Sequence, residues 1–321
     1  MKRKHSHTAA YLAAMLYAVI IGFSFLFVKI TVTMASPLDV LAHRFTIGWM
    51  AVALPFLFGW ARLRMNWHDM LGLLLLGLLS PVMFFAFQGF GLMGASSSEA
   101  GIIMATVPLF TAPIAAFFLK EVTNLVQKLS ILLSVSGVVL IFLMKGEAGL
   151  TMDNIAGLGL LLLSALSMAG YNVLARPLAR KYSPLEISFV TLTMGCILFV
   201  VAALLKHGSA ATLTELVTPF SNPKYLLSLL YLGILSTVFS NILSTFALSR
   251  LEASKVSVFN NLSTLISILA GALILHEALT FSHIIGTAMI IVGVLGTNFG
   301  RLPWQRRSPR MRIPVDKGSG A

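Results

Sequence analysis

The stretch LLLLGLLSPVMFF at Leu73–Phe85 returns, altered, as LLYLGILSTVFSN at Leu229–Asn241. The offset is 156 residues, and it persists. Gly77 falls on Gly233, Ser80 on Ser236, Val82 on Val238 and Phe90 on Phe246. Further along, Leu119 falls on Leu275, Glu121 on Glu277, and Gly137–Val138 on Gly293–Val294, so 71–144 matches 227–300 without a gap. Upstream the offset becomes 147. SPLD at 36–39 then falls on SPLE at 183–186, Gly48 on Gly195 and Lys29 on Arg176. The nine-residue difference is extra chain around 206–223. Leucines match by chance in such a sequence; the glycines and the Ser-Pro-Leu-acid phrase carry the repeat.

Each copy is too apolar for water. The 321 residues are 57% hydrophobic and 11% charged, whereas a soluble domain carries about 25% charged residues. The continuous apolar runs predict an all-α membrane protein with ten spans, near 9–31, 37–59, 70–93, 97–119, 127–144, 155–175, 184–205, 225–249, 256–275 and 282–299. Each approaches the ~20 residues needed to cross the hydrocarbon as a helix. The first run follows Lys2, Arg3 and Lys4 but is longer than a secretory h-region, so it reads as a retained helix. Between spans 7 and 8, TLTEL reads as a short interfacial helix. Residues 301–321 read as a basic, disordered tail.

Charge position fixes an orientation. With the N-terminus inside, 18 of the 23 lysines and arginines fall on the inner side, and Lys145, Lys206 and Lys224 fall outside. Lys29 and Arg44 lie within spans. This is the positive-inside pattern, and it puts both termini in the cytoplasm. It also accounts for the net charge of +12 without nucleic acid, for which no soluble basic face exists. The repeat then divides the chain into 9–144 and 155–300, five spans each. Five is odd, so the second copy enters the bilayer from the opposite side. Two inverted five-helix repeats place a site near the midplane where the halves meet.

The residues that carry this pattern resemble the drug/metabolite transporter superfamily, as two EamA-type domains. IGFSFLFVK (Ile21–Lys29) is similar to the family's Trp-Gly-x-x-Phe…Lys pattern, and Arg44 follows in the second span. VPLFTAPIAAFFLKE (Val107–Glu121), SGVVLI (Ser136–Ile141) and VGVLG (Val292–Gly296) match later segments. Ile21 stands where the family has Trp, and Thr264 where the second repeat has Pro. The resemblance implies secondary transport of a small solute in a bacterial inner membrane by alternating access. Export of amino acids or related amphipathic solutes comes first, and export of cationic drugs is the alternative.

Intramembrane polar groups are the natural site candidates. Lys29 reads as a snorkelling anchor or a cavity cation. Arg44 lies about 10 Å into its helix and reads as a structural group, capping carbonyls or pairing with Asp39, or as a cavity cation, with His43 beside it. Ser24, Phe25, Phe87, Gln88, Asn172, Asn241, Ser244, Thr245, Asn260 and Thr264 complete the cavity candidates. The opening phrase adds a contrast: Phe84, Phe85 and Phe87 in the first copy stand against polar side chains in the second, so a shared site would have one aromatic and one polar wall. The alternative is phenylalanines facing lipid and polar residues joining helices. Glu99 and Lys255, opposite charges at equivalent positions, are gate candidates. Glu121 and Glu277 read as inter-helix hydrogen-bond partners.

Other classes lose ground. Cys196 is the single cysteine, and no Cys/His spacing suggests a metal or cofactor. No phosphate-binding glycine loop offers ATP drive. No carboxylate lies mid-span, which leaves proton or exchanged-solute coupling open. An intramembrane enzyme would need a nucleophile–base pair or metal cluster at depth, and none is legible.

Overall fold

The computed structural model describes residues 2–63, 65–120, 124–143, 152–208, 210–276 and 281–299. Among them every regular element is helical. Glu121 and Glu277 lie outside the described residues, as does the 301–321 tail.

In chain order the helices are α1 (Lys2–Val32), α2 (Pro37–Leu57), α3 (Met70–Gly77), α4 (Phe84–Gly94), α5 (Ser97–Met104), α6 (Val107–Leu119) and α7 (Leu125–Leu143). The second half supplies α8 (Met152–Lys181), α9 (Pro184–Lys206), α10 (Ala210–Val217), α11 (Pro223–Leu230), α12 (Ser240–Arg250), α13 (Ala253–Ile274) and α14 (Phe281–Phe299). The expected short helix at TLTEL is α10. Among the described residues seven helices are long and apolar enough to cross a membrane: Thr8–Val32, Pro37–Leu57, Trp67–Gly94, Ser97–Leu119, Met152–Lys181, Pro184–Lys206 and Pro223–Arg250. In α7, α13 and α14 the apolar stretches are shorter, Leu125–Gly137, Leu262–Ile274 and Ile284–Gly293. The outward faces are hydrocarbon: Leu71 is 70% exposed, Phe117 80% and Leu227 68%. So broad an apolar exterior needs lipid. Trp60 and Trp67, also exposed, sit in the polar α2–α3 connection, where amphipathic rings favour the membrane–water boundary.

The two copies are punctuated alike. Ser36 and Ser183 cap α2 and α9, each accepting from the amide three residues on, with proline at the first helical position. Asn66 and Asn222, 156 residues apart, cap the equivalent turns by accepting from His68 N and Lys224 N. Lys120 and His276, again 156 apart, are the two non-glycine residues described with positive φ (52° and 55°), and each follows a helix end.

The phrase that opened the sequence is where each copy departs from the α-helical ladder, with a kink in the first copy and a π-type widening in the second. Between α3 and α4, residues Leu78–Met83 form a wide π-type turn in which Ser80 leaves helical backbone (φ −147°, ψ 121°). Pro81 has no amide proton for the ladder, and the Ser80–Pro81 peptide is cis. Between α11 and α12 the wide turn is Tyr231–Phe239. There the Thr237 hydroxyl, at the position of Pro81, donates to the Leu232 carbonyl five residues back at 2.7 Å. The span expected over 70–93 is therefore kinked at Ser80–Pro81, whereas the one expected over 225–249 runs on as helix through its wide turn. The one expected over 97–119 is interrupted at Ala105–Thr106 between α5 and α6.

Packing exchanges equivalent positions between copies. A Cβ on Gly48 would meet Thr237 Cγ2 at 3.1 Å, and one on Gly195 would meet Pro81 Cγ at 2.7 Å. Likewise Gly77 abuts Thr191 and Met194, while Gly233 abuts Arg44 and Ile47. Each copy's second helix thus rests against the wide turn of the other. The main core, including Phe25, Phe45, Phe84, Phe85, Tyr171, Leu192 and Leu248, draws on both copies. α7 packs on α14, with Gly293 and Gly296 against Ser130 and Ser134.

Candidate functional site

A cavity of about 30 Å³ lies where the two helices with wide turns meet α1, α8 and α9. One wall is Ser80, Phe84 and Phe85; the facing wall is Thr237, Ser240, Asn241 and Ser244. Tyr17, Ile21, Met168, Tyr171 and Leu192 complete it. Phe84 and Phe85 are the repeat equivalents of Ser240 and Asn241, so one pair of positions presents rings on one side and hydrogen-bonding groups on the other. The volume suits about one or two water molecules.

The polar wall is an ordered network. The Tyr171 hydroxyl donates to Asn241 Oδ1 at 3.1 Å and lies 3.2 Å from Thr245 Oγ1. Thr245 also donates to Asn241 Oδ1 at 3.2 Å. Asn172 Nδ2 and Ser188 Oγ are buried without a hydrogen-bond partner among the described residues. A buried amide left unsatisfied costs about 1–3 kcal/mol, the kind of cost retained where a group has another state to serve.

Arg44 stands behind the cavity. It is 1% exposed. Its Nε donates to Thr237 Oγ1 at 2.7 Å and an Nη to Ser236 Oγ at 2.9 Å. The guanidinium lies 4.1 Å from the Phe85 ring centroid and 5.9 Å from that of Phe45. Thus a first-copy cation grips the wide turn of the second copy, and two of its neighbours, Thr237 and Phe85, line the cavity. The anticipated pairing of Arg44 with Asp39 is not made. Asp39 bonds Lys206 and His207 instead. The two residues are five apart on a helix, about 140° around its axis, so they face different neighbours.

The remaining candidates divide. Asn241 and Ser244 line the cavity, and Thr245 joins its network. Ser24 bonds its own helix through the Ile21 carbonyl at 2.7 Å, and Phe25 is fully buried core. Gln88 is buried and Phe87 half-buried, and neither lines the cavity. Thr264 donates to the Gly101 carbonyl at 2.5 Å, joining α13 to α5. The Asn260 side chain lies outside the described residues. Lys29 Nζ donates to the carbonyls of Leu92 (2.9 Å) and Ala95 (2.7 Å), closing the C-terminus of α4. It also edges an open recess of about 560 Å³ shared with Thr33, Ser96 and Lys224. Glu99 forms a capping box with Ser96 at the start of α5, and Lys255 lies 3.7 Å from Glu252 at the start of α13. Each gate candidate has a partner beside it in sequence. Among the described residues no His/Cys/Asp/Glu group is arranged to hold a metal.

Sequence reading missed the polar contacts at the two ends of α9. At its C-terminal end Asp39 accepts from Lys206 (3.0 Å), lies 2.9 Å from His207 Nε2, and also takes the Ser36 hydroxyl at 2.7 Å. Close by, His43 Nδ1 lies 2.8 Å from the Tyr225 hydroxyl. At the other end Asp69 accepts from Lys181 and Tyr182. α9 has 23 residues, so these contacts stand about 34 Å apart. Both join the first copy to the second.

Comparison with known proteins fits this architecture. The model of the EamA-like transporter family matches the chain twice, over residues 8–143 and 155–299. The chain is 44% identical to the uncharacterized transporter YcxC of Bacillus subtilis (strain 168), over 98% of its own length and 99% of that protein. It is 26% identical to an uncharacterized transporter of Archaeoglobus fulgidus, over 85% of this chain and 92% of that one. A solved crystal structure superposes with a TM-score of 0.69 at 18% identity, covering 90% of this chain and 96% of the other, a likeness of fold.

Proposed function

From the premise that this chain belongs to the EamA-like transporter family, we propose that it is a secondary carrier that exports amino acids or related amphipathic solutes by alternating access. It is a membrane transporter and not an enzyme, like the relatives it matches. On this reading all ten apolar helical runs cross a bacterial cell membrane, the shorter three included. The two copies run in opposite senses, and both termini are cytoplasmic. The positive-inside charge pattern supports that orientation. The reciprocal glycine contacts support an arrangement in which the halves can trade conformations, since each offers the other the same surface.

One observation carries the reading: a small cavity at the junction of both copies, walled by rings on one side and by hydroxyls and an amide on the other. Aromatic faces bury the apolar part of a solute, and the Asn241 network orients its polar part. The wide turns at Leu78–Met83 and Tyr231–Phe239 supply the places where each helix can bend. The closures at Asp39 and Asp69 hold the two ends of α9. Opening one while the other stays shut would expose the cavity to one side at a time.

Counterflow in proteoliposomes tests this. Purified protein preloaded with an unlabelled amphipathic amino acid such as leucine or phenylalanine should transiently accumulate the labelled solute above equilibrium. Uptake without trans-acceleration would indicate a channel and end the proposal.

A further inference from the structure

Arg44 is a buried cation with no counter-charge among the described residues. Its partners are the neutral hydroxyls of Ser236 and Thr237 and the faces of Phe85 and Phe45. The described ion pairs lie elsewhere, at Asp39, Asp69 and Glu252. Buried charges ordinarily sit beside an opposite charge, because desolvation is otherwise uncompensated. A role confined to cross-linking helices would be served as well by a neutral amide, which makes hydrogen bonds without that cost. The repeat sharpens the point. The equivalent position in the second copy is Thr191, a neutral residue bonded within its own helix. The positive charge is thus a feature of one copy only, set behind two residues that line the cavity.

We infer that Arg44 is the anion-recognition residue of the solute site, and that the solute carries a carboxylate. This rests on the cavity reading above and goes beyond it by fixing the charge the solute must bear. When the wide turn of the second copy shifts, the carboxylate takes the guanidinium donors that Thr237 and Ser236 now hold, while Phe85 stays stacked on both. Among the described residues no carboxylate lines the cavity, so a solute whose only charge is an ammonium meets a like charge there. The site is therefore selective for anionic or zwitterionic solutes and rejects cations.

Three probes of one shape separate the charges: L-phenylalanine, 3-phenylpropionate, which lacks the amine, and phenethylamine, which lacks the carboxylate. Each is offered to wild-type proteoliposomes as competitor and as exchange substrate. The expected result is exchange of the first two, with phenethylamine weaker by about tenfold or more, the scale of one charge-assisted hydrogen bond. Phenethylamine exchanged as well as phenylpropionate would overturn the role of Arg44 while leaving the carrier reading in place. Failure to exchange any of the three would overturn both. R44Q should erase the carboxylate preference and R44K retain part of it; R44Q with an unchanged preference overturns the inference. The wild-type comparison needs no variant, so it decides even where R44Q fails to fold, and a merely structural arginine would not move the ratio between probes.

Discussion

Asparagine in place of Asp39 keeps the side-chain shape and removes its charge, which isolates what the carboxylate contributes where α2 meets the end of α9. The two bonds it makes there should be unequal. His207 and Asp39 side chains are 2% and 6% exposed and 2.9 Å apart, a geometry in which a hydrogen bond to a charged group contributes about 1.5–3 kcal/mol. The Lys206 side chain is 38% exposed, so its bond falls in the solvent-screened range of about 0–1 kcal/mol. A double-mutant cycle of Asp39→Asn with His207→Ala should therefore show coupling of about 1.5–3 kcal/mol, and the cycle with Lys206→Ala less than about 1. Unfolding in mixed micelles reads these values. A second readout concerns motion. With Cys196→Ser as background and Ser244→Cys in the cavity, Asp39→Asn should speed labelling by an impermeant thiol reagent from the side bearing Lys206. Equal coupling for both partners, or labelling indifferent to Asp39, would refute the view of this contact as a closure built on His207.

Three further outcomes are expected. Gly195→Ala sets a methyl against the rings of Pro81 and Phe45, neighbours with little room to yield, and should lower stability by about 1–3 kcal/mol; Gly159→Ala, with nothing within 4 Å, should be neutral or stabilising by up to about 1 kcal/mol, both read by thermal unfolding. Lys29→Met removes the two bonds to the end of α4 and should cost about 1–3 kcal/mol without changing the ratio between carboxylate and amine probes, which Lys29→Arg should leave near wild type in stability. Reporter tags at the two termini should lie on the same side of the membrane, with a tag in α10 on the other; termini on opposite sides would overturn the even number of crossings.

Much of the architecture was legible because the two copies constrain the same positions. Gly48 and Gly195 stand out in sequence as a matched pair and in space as a matched pair, each under the other copy's wide turn. The turns themselves were hidden. Pro81 sits in view inside a run of hydrophobic residues, yet hydropathy averages over it, and the second copy's wide turn holds Thr237, whose hydroxyl bond to Leu232 has no signature in composition. Glu99 was flagged as an intramembrane charge, but Ser96-x-x-Glu99 is also a capping-box spacing, and the local use is the one the helix makes of it. Arg44 does not meet Asp39 for a reason the sequence holds, since five residues set two side chains about 140° apart around a helix. Its partners, Ser236 and Thr237, lie 192 and 193 positions away and needed the fold. So did Tyr171, which reads as one more aromatic in a span until its hydroxyl meets Asn241.

The extra nine residues after α9 have a consequence of their own. They build α10 and bring the Phe220 ring centroid to 4.5 Å from that of His43, a cover over the end of α2 that the shorter α2–α3 connection does not match among the described residues. In a passive exchanger the gradients alone decide where exchange comes to rest, and no cover can alter that endpoint. It can alter tempo. An obstruction on one mouth slows arrival and departure there equally, so on the carrier reading proposed above the protein should cycle with unequal half-times while reaching the same final balance.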